Sequence, residues 1–291
     1  MSGRLPHSFE VSPWHDALHR LRRNRPAMAG LALLLVFVAA AFLAAWIAPY
    51  PYDKTDLRHG AKPPTSQHLL GTDELGRDLL TRTLYGAQIS FAVGILATLV
   101  SLTIGVTYGS LAGYVGGRVD HVMMRIVDIL YGLPFMFFVI LLMVVLGRNI
   151  LNLFIALGAV QWLTMARIVR GQILSLRSRE FVLSAHAMGA SPRRILVRHL
   201  LPNALGPIVV YATLTVPAVM LEEAFLSFLG LGVQPPMASW GSLASEGAAA
   251  MEVYPWLIIF PGSALTVTLL SLNFLGDGLR DALDPQVTAR R

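Results

Sequence analysis

The 291-residue chain has no cysteine and little charge. Without cysteine it has no structural disulfides and no thiol chemistry. Charged residues are 14% of the chain, against about 25% in a typical soluble domain. That scarcity, with a mean hydropathy of +0.60, excludes a disordered chain, a coiled coil and a nucleic-acid reader. Chemical motifs are equally scarce. The sequence contains no GxxxxGK[ST] phosphate loop, no HExxH, no GxSxG and no clustered Cys/His set. ATP binding through a phosphate loop is therefore excluded. His186 and His199 are too far apart along the chain to suggest a metal site, and no catalytic or metal-binding residues are expected.

What the chain does have is long apolar runs. Uncharged stretches cover 27–48, 91–113, 129–147, 150–166 and 256–276. A sixth apolar segment runs from about Ile208 to Leu221, where Glu222 and Glu223 interrupt it, and apolar residues resume through Leu231. Each run is near or above the length that crosses a bilayer as a helix. Six transmembrane helices are expected in an all-α integral membrane protein. The first run is too long, and lies too far from the N-terminus, for a cleaved signal, so it is expected to be an anchor.

Charge placement orients these spans. With the N-terminus in the cytoplasm, 17 of the 23 Lys/Arg fall on cytoplasmic segments and 6 on the other side. No Lys or Arg occurs between His199 and Leu279. The positive-inside rule then gives an N-in/C-in chain. The expected organisation is a cytoplasmic segment 1–26, a first span 27–48, an extracytoplasmic segment 49–85, a membrane core 86–277 and a cytoplasmic tail 278–291.

The cytoplasmic loop between spans four and five is the most informative soluble segment. In SREFVLSAHAMGAS (178–191), Phe181, Ala185 and Met188 recur at the spacing of one helix face. Gly189 suits the left-handed residue that ends a helix. Ser191 is a candidate N-cap, and Pro192 suits the first turn of a second helix bearing Arg193, Arg194 and Arg198. Leu201-Pro202-Asn203 is expected to end or kink that helix. Two readings fit this hairpin: an amphipathic element on anionic lipid heads, or a docking knob for a cytoplasmic partner. Small residues at Ala185, Ala187, Gly189 and Ala190 favour close approach of another protein.

Other elements also carry two readings. In GTDELGRD (71–78), Asp73, Arg77 and Asp78 suit a local ion-pair cluster, or a contact with an extracytoplasmic partner or the substrate. Glu222 and Glu223 either mark the outer interface or face a pathway through the membrane. Trp162 and Arg167 suit a helix end at the interface, and Trp240 an interfacial anchor. Leu226–Gly241 is too apolar for a free loop and is expected to pack on a partner subunit at the outer mouth. Gly132-Leu133-Pro134, Gly206-Pro207, Pro217 and Pro261-Gly262 suit either close helix packing or bending.

The loop resembles the conserved cytoplasmic loop of ABC importer permeases: EAA, three residues, Gly, nine residues, Ile, one residue, Leu-Pro. Ala185, Gly189 and Leu201-Pro202 match, whereas Leu183, Ser184 and His199 depart from it. Three further stretches, GTDELGRDLLTR (71–82), LSFLGLGVQPPMASWG (226–241) and LNFLGDGLRDALDP (272–285), resemble the C-type subunit of the peptide/nickel permease family. PFMFFVILL, MARIVRGQ and MEVYPWLIIFP are most similar to oligopeptide-type subunits. The resemblance covers nearly the whole chain. It implies the type I importer fold, with an N-terminal helix added to a five-helix core, in the bacterial inner membrane.

It also implies partners: a homologous B-type permease subunit, two cytoplasmic ATPase subunits that carry ATP and Mg²⁺, and an extracytoplasmic peptide-binding protein. The coupling helix is then expected at Phe181, Leu183, Ala185, His186, Met188, Gly189, Ala190 and Ser191. The extracytoplasmic motif is Gly71, Thr72, Asp73, Gly76, Arg77 and Asp78. Dipeptide or nickel cargo is the alternative within the family. Outside it stand a secondary transporter, whose repeats and coupling acids are not evident, and an intramembrane protease, whose catalytic pairs are missing.

Overall fold

The computed structural model describes residues 13–283, which are helical apart from loops and one isolated bridge between Thr72 and Asp78. The helices are α1 (Pro13–Arg23), α2 (Arg25–Phe42), α3 (Ala44–Ile47), α4 (Leu79–Val115), α5 (Gly117–Tyr131), α6 (Phe135–Leu146), α7 (Ile150–Arg177), α8 (Glu180–Ala187), α9 (Pro192–Ile195), α10 (Leu201–Phe228), α11 (Trp240–Ala249) and α12 (Trp256–Leu283). A π-helical turn, Leu196–Leu200, joins α9 to α10. Residues 1–12 of the expected cytoplasmic segment 1–26 and residues 284–291 of the expected cytoplasmic tail 278–291 lie outside the described residues.

Five segments are long and apolar enough to span a membrane: α2, α4, α7, the continuous run Pro192–Phe228, and α12. The sixth differs from expectation. The apolar run 129–147 is not one straight span, because α5 and α6 meet at 86°. The bend falls at Gly132-Leu133-Pro134, where Pro134 restricts Leu133 and has no N–H to continue the helix. Helix α4 begins at Leu79, well before Phe91, so an 85/86 boundary falls inside it. Its start is set by Asp78, whose carboxylate accepts from the Thr81 N–H at 2.8 Å.

Small residues decide how the spans pack. On α4, Gly105, Gly109 and Gly113 recur every four residues and face α7. A Cβ on Gly105 would lie 2.6 Å from Met165 Cβ, and one on Gly109 would overlap the Ala166 carbonyl. From the other side, Gly158 of α7 sits against Val100 and the Ala97 carbonyl. Backbones therefore approach closely along most of the α4–α7 contact, which suits association between lipid-exposed helices. Gly30 of α2 packs in the same way on Ser271 of α12.

Polar bridges fix the shorter helix α5. Arg170 of α7 grips Asp120 through two hydrogen bonds, one of 2.6 Å between Nη2 and Oδ2. Arg167 donates to Asp128 at 2.8 Å and lies 4.2 Å over the Tyr131 ring. Trp162 makes an edge contact with Tyr108 at 4.9 Å. Trp162 and Arg167 thus lie within α7 rather than at a helix end, because that helix continues eleven residues past the apolar run 150–166, to Arg177.

The segment after α10 also differs from expectation. Leu226, Leu231 and Val233 are buried in this chain's own core with Val139 and Met143 of α6. Trp240 is buried too: its indole donates to the Thr83 carbonyl at 2.9 Å, and its ring meets Phe37 and Phe91 edge-on. It is a core residue rather than an interfacial anchor, because α11 folds back onto α4 and α10. Phe225, Phe228, Leu229 and Met237 are the large apolar side chains that stay exposed here.

Candidate functional site

The hairpin between α7 and α10 is rigidly seated. Val182 and Ala185 of α8 and Ile195 of α9 are buried against Val169 and Ile173 of α7 and Ala204 of α10. Helix α8 ends in a Schellman turn: Ala190 N–H donates to the Ala185 carbonyl at 3.0 Å and Gly189 N–H to the His186 carbonyl at 2.9 Å. Gly189 holds φ +76° with open space around its Cα. Ser191 then caps α9, accepting from Arg194 N–H at 3.4 Å.

Two expectations change here. Phe181, Ala185 and Met188 do not share one fate: Ala185 is buried, while Phe181 is 39% and Met188 81% exposed. The residues buried on α8 are Val182 and Ala185, which join the apolar cluster with α7 and α10, whereas Met188 lies past its last turn. Leu183 is 56% exposed; His186 and Ser191 are exposed, and Ala190 is half-buried. Nor does Leu201-Pro202-Asn203 end the second helix. The helix opens into the π turn immediately before Pro202, where an α-turn would press the ring on the carbonyl four residues back. Asn203 Nδ2 donates to the His199 carbonyl at 2.6 Å. The hairpin's second helix, the π turn and span five are thus one unbroken run, Pro192–Phe228.

Glu222 and Glu223 do not interrupt span five; α10 continues through them to Phe228. Consecutive on a helix, they point to different surroundings. Glu223 is buried and accepts from Ser227 Oγ at 2.8 Å and Ser239 Oγ at 2.6 Å, joining α10 to the α11 cap. Glu222 Oε1 accepts from Gln161 Nε2 of α7 at 2.7 Å. Glu222 lines a partly open cavity of about 720 Å³, together with Tyr131, Phe135 and Phe138 at the α5–α6 elbow and with Gln161 and Trp162.

The 71–78 motif forms a compact knot. Gly71 and Gly76 both have positive φ, and a Cβ on Gly76 would overlap the Asp56 backbone. Thr72 Oγ1 donates to the Gly60 carbonyl and accepts from Lys62 N–H. Asp73 Oδ2 accepts from Arg77 Nε and Arg82 Nη1, each at 2.7 Å. Asp78 is not in that cluster: it caps α4 and pairs with His68 Nδ1 at 2.8 Å. Glu246 of α11 completes the cluster, 2.8 Å from Arg82. Gln161, His68, Arg82 and Glu246 were not expected from the sequence. Gln161 and Glu246 are remote in sequence from their partners, whereas His68 and Arg82 lie ten and nine residues from Asp78 and Asp73.

A family model described as the binding-protein-dependent transport system inner membrane component matches residues 105–289. The chain belongs to this family. A second model, the N-terminal TM domain of oligopeptide transport permease C, matches residues 12–64. The oligopeptide transport system permease protein OppC of Haemophilus influenzae is 52% identical over 94% of this chain and 89% of its own length. The E. coli K12 OppC is 53% identical over 94% and 92%, and the dipeptide permease DppC of Bacillus subtilis 48% over 95% and 87%. A solved inward-facing MetNI methionine ABC transporter shares the fold, with a TM-score of 0.58 at 20% identity over 71% of this chain and 96% of that one.

The permease is therefore a multi-pass protein of the bacterial inner membrane and a membrane subunit of an ABC importer. Its curated relatives are permease subunits, the non-catalytic membrane components of such transporters.

Proposed function

We propose that this permease forms half of the translocation pathway of an ATP-driven oligopeptide importer. It works with a B-type permease, two ATPase subunits that carry ATP and Mg²⁺, and an extracytoplasmic peptide-binding protein. The chain itself binds no cofactor and no nucleic acid. The observation that carries the coupling role is the seated hairpin. Its inner face is locked to α7 and α10, and Phe181, Leu183 and Met188 stand outward. An ATPase groove closing on Phe181, Leu183, His186, Met188 and the Gly189–Ser191 turn would act on α10 through the buried contacts of Val182 and Ala185 and through the unbroken run Pro192–Phe228. Glu222 lies on the pathway, while Glu223 braces its wall. The knot of Gly71, Thr72, Asp73, Gly76, Arg77 and Asp78 shapes the outer surface where the binding protein docks.

The test is uptake of labelled peptides of two to five residues, and of nickel, in cells with and without the gene. Loss confined to peptides of three or more residues is expected. Because DppC is nearly as similar as OppC, loss confined to dipeptides would instead move the cargo class. Loss of nickel uptake alone would overturn the peptide assignment.

A further inference from the structure

Glu222 has one carboxylate oxygen engaged and one free. Oε1 accepts from Gln161, whereas Oε2 is buried and has no hydrogen-bond partner among the described residues. A buried carboxylate oxygen without a donor is costly, so its retention calls for a ligand. Glu223, one residue on, has two hydroxyl donors on Oε1 and a packed wall around it, so the vacancy at Glu222 is not a general property of this helix. The carboxylate lies well inside α10, six residues or about 9 Å before its end. It borders a cavity within the usual ligand-pocket range of about 300–1,000 Å³.

The cavity's other walls narrow the ligand's chemistry. Tyr131, Phe135, Phe138 and Trp162 present aromatic rings, and among the described residues no Lys or Arg lines it. Arg167, which lies over the Tyr131 ring, is paired with Asp128. A carboxylate amid aromatic faces, without a neighbouring cation, suits a primary ammonium group. Such a group supplies charge, several N–H donors and cation–π contact together. We infer that Glu222, held by Gln161, forms a subsite for the free amino terminus of the passing peptide, with the first side chain against the aromatic wall. This rests on the peptide-importer reading above. It makes Glu222 a specificity-determining residue within the membrane, downstream of the binding protein.

The test uses the whole transporter in proteoliposomes during ATP turnover. A pentapeptide carries a benzophenone side chain on its first residue, with the amino group free, or on its last. Labelled segments are mapped by mass spectrometry, and yields are normalised to assembled complex. The first-residue probe is expected to label α7 and α10 beside Gln161, with yield falling at least about tenfold in Glu222→Gln and recovering in Glu222→Asp. The last-residue probe should change less than about twofold, since it makes no ammonium contact. Equal loss with both probes would show that Glu222 only supports the helix, and unchanged first-residue labelling would show that it touches no amino terminus; either overturns the inference. A counter-cation from the B-type permease, the competing ligand, would give that unchanged result. If the unsubstituted transporter imported no peptide at all, the importer reading itself would fall, which is a different result.

Discussion

The Arg82 guanidinium donates to Asp73 Oδ2 at 2.7 Å, and the arginine is only 3% exposed. The same nitrogen reaches Glu246 at 2.8 Å, so a side chain on α4 ties the outer loop to α11. Removing one partner of a buried pair leaves an uncompensated charge, at a cost of about 3–5 kcal/mol. Arg82→Met is expected to lower the melting temperature of the purified complex strongly. Glu246→Gln, whose side chain is half in solvent, should cost much less. Thermal unfolding in one detergent checks both.

The α4–α7 contact predicts opposite signs for two glycines. Gly109→Ala places a methyl group on the Ala166 backbone, which cannot move aside, and should cost at least about 1–3 kcal/mol. Gly171→Ala has open space and stands inside a helix, so it should be neutral or gain up to about 1 kcal/mol. Expression and melting of the two variants, side by side, give the comparison.

Glu223 should behave as a brace rather than a contact for cargo. Glu223→Ala strands two buried hydroxyls and opens a void against Gly241, with an expected cost of about 2–4 kcal/mol. Glu223→Gln keeps an acceptor for Ser227 and Ser239 and should retain most uptake. Uptake lost in Glu223→Gln while melting stays normal would contradict this division of labour.

At Gly189 the constraint is conformational, since nothing lies near its Cα. Gly189→Val must hold φ +76° with a branched side chain, a strain of about 1–2 kcal/mol or more. It is expected to uncouple ATP hydrolysis from uptake or to block assembly. Gly189→Asn, which tolerates the left-handed region, should retain coupling. The ratio of peptide imported to ATP hydrolysed measures this.

Orientation is open to labelling because the chain has no cysteine. Ser66→Cys and Ser175→Cys both place the thiol at exposed positions. An impermeant reagent added outside is expected to label the first and not the second. Labelling of Ser175→Cys from outside would reverse the N-in/C-in assignment.

Much of this molecule was legible from local chemistry. Apolar runs marked the spans because bilayer thickness sets a length that sequence records directly. The Gly189 turn and the Ser191 cap were readable because each depends on one residue's φ or hydroxyl. The role of Gly105, Gly109 and Gly113, by contrast, became visible only in the α4–α7 contact. The bend at Gly132-Leu133-Pro134 was not distinguishable from a tolerated kink, because neighbouring helices decide whether a proline is absorbed or turns the chain.

Residue type and spacing thus determined the membrane class, the number of apolar segments, the hairpin's turn and the family. Tertiary structure decided where the polar groups go. It placed Asp78 on His68 instead of Arg77, gave Arg82 to both Asp73 and Glu246, buried Trp240, and set Glu222 against Gln161 while Glu223 met Ser227 and Ser239. The physical reason is one of range. A cap or a helix length is settled within a few residues, but a buried charge needs a partner in space. That partner comes from whichever helix the small-residue contacts bring alongside.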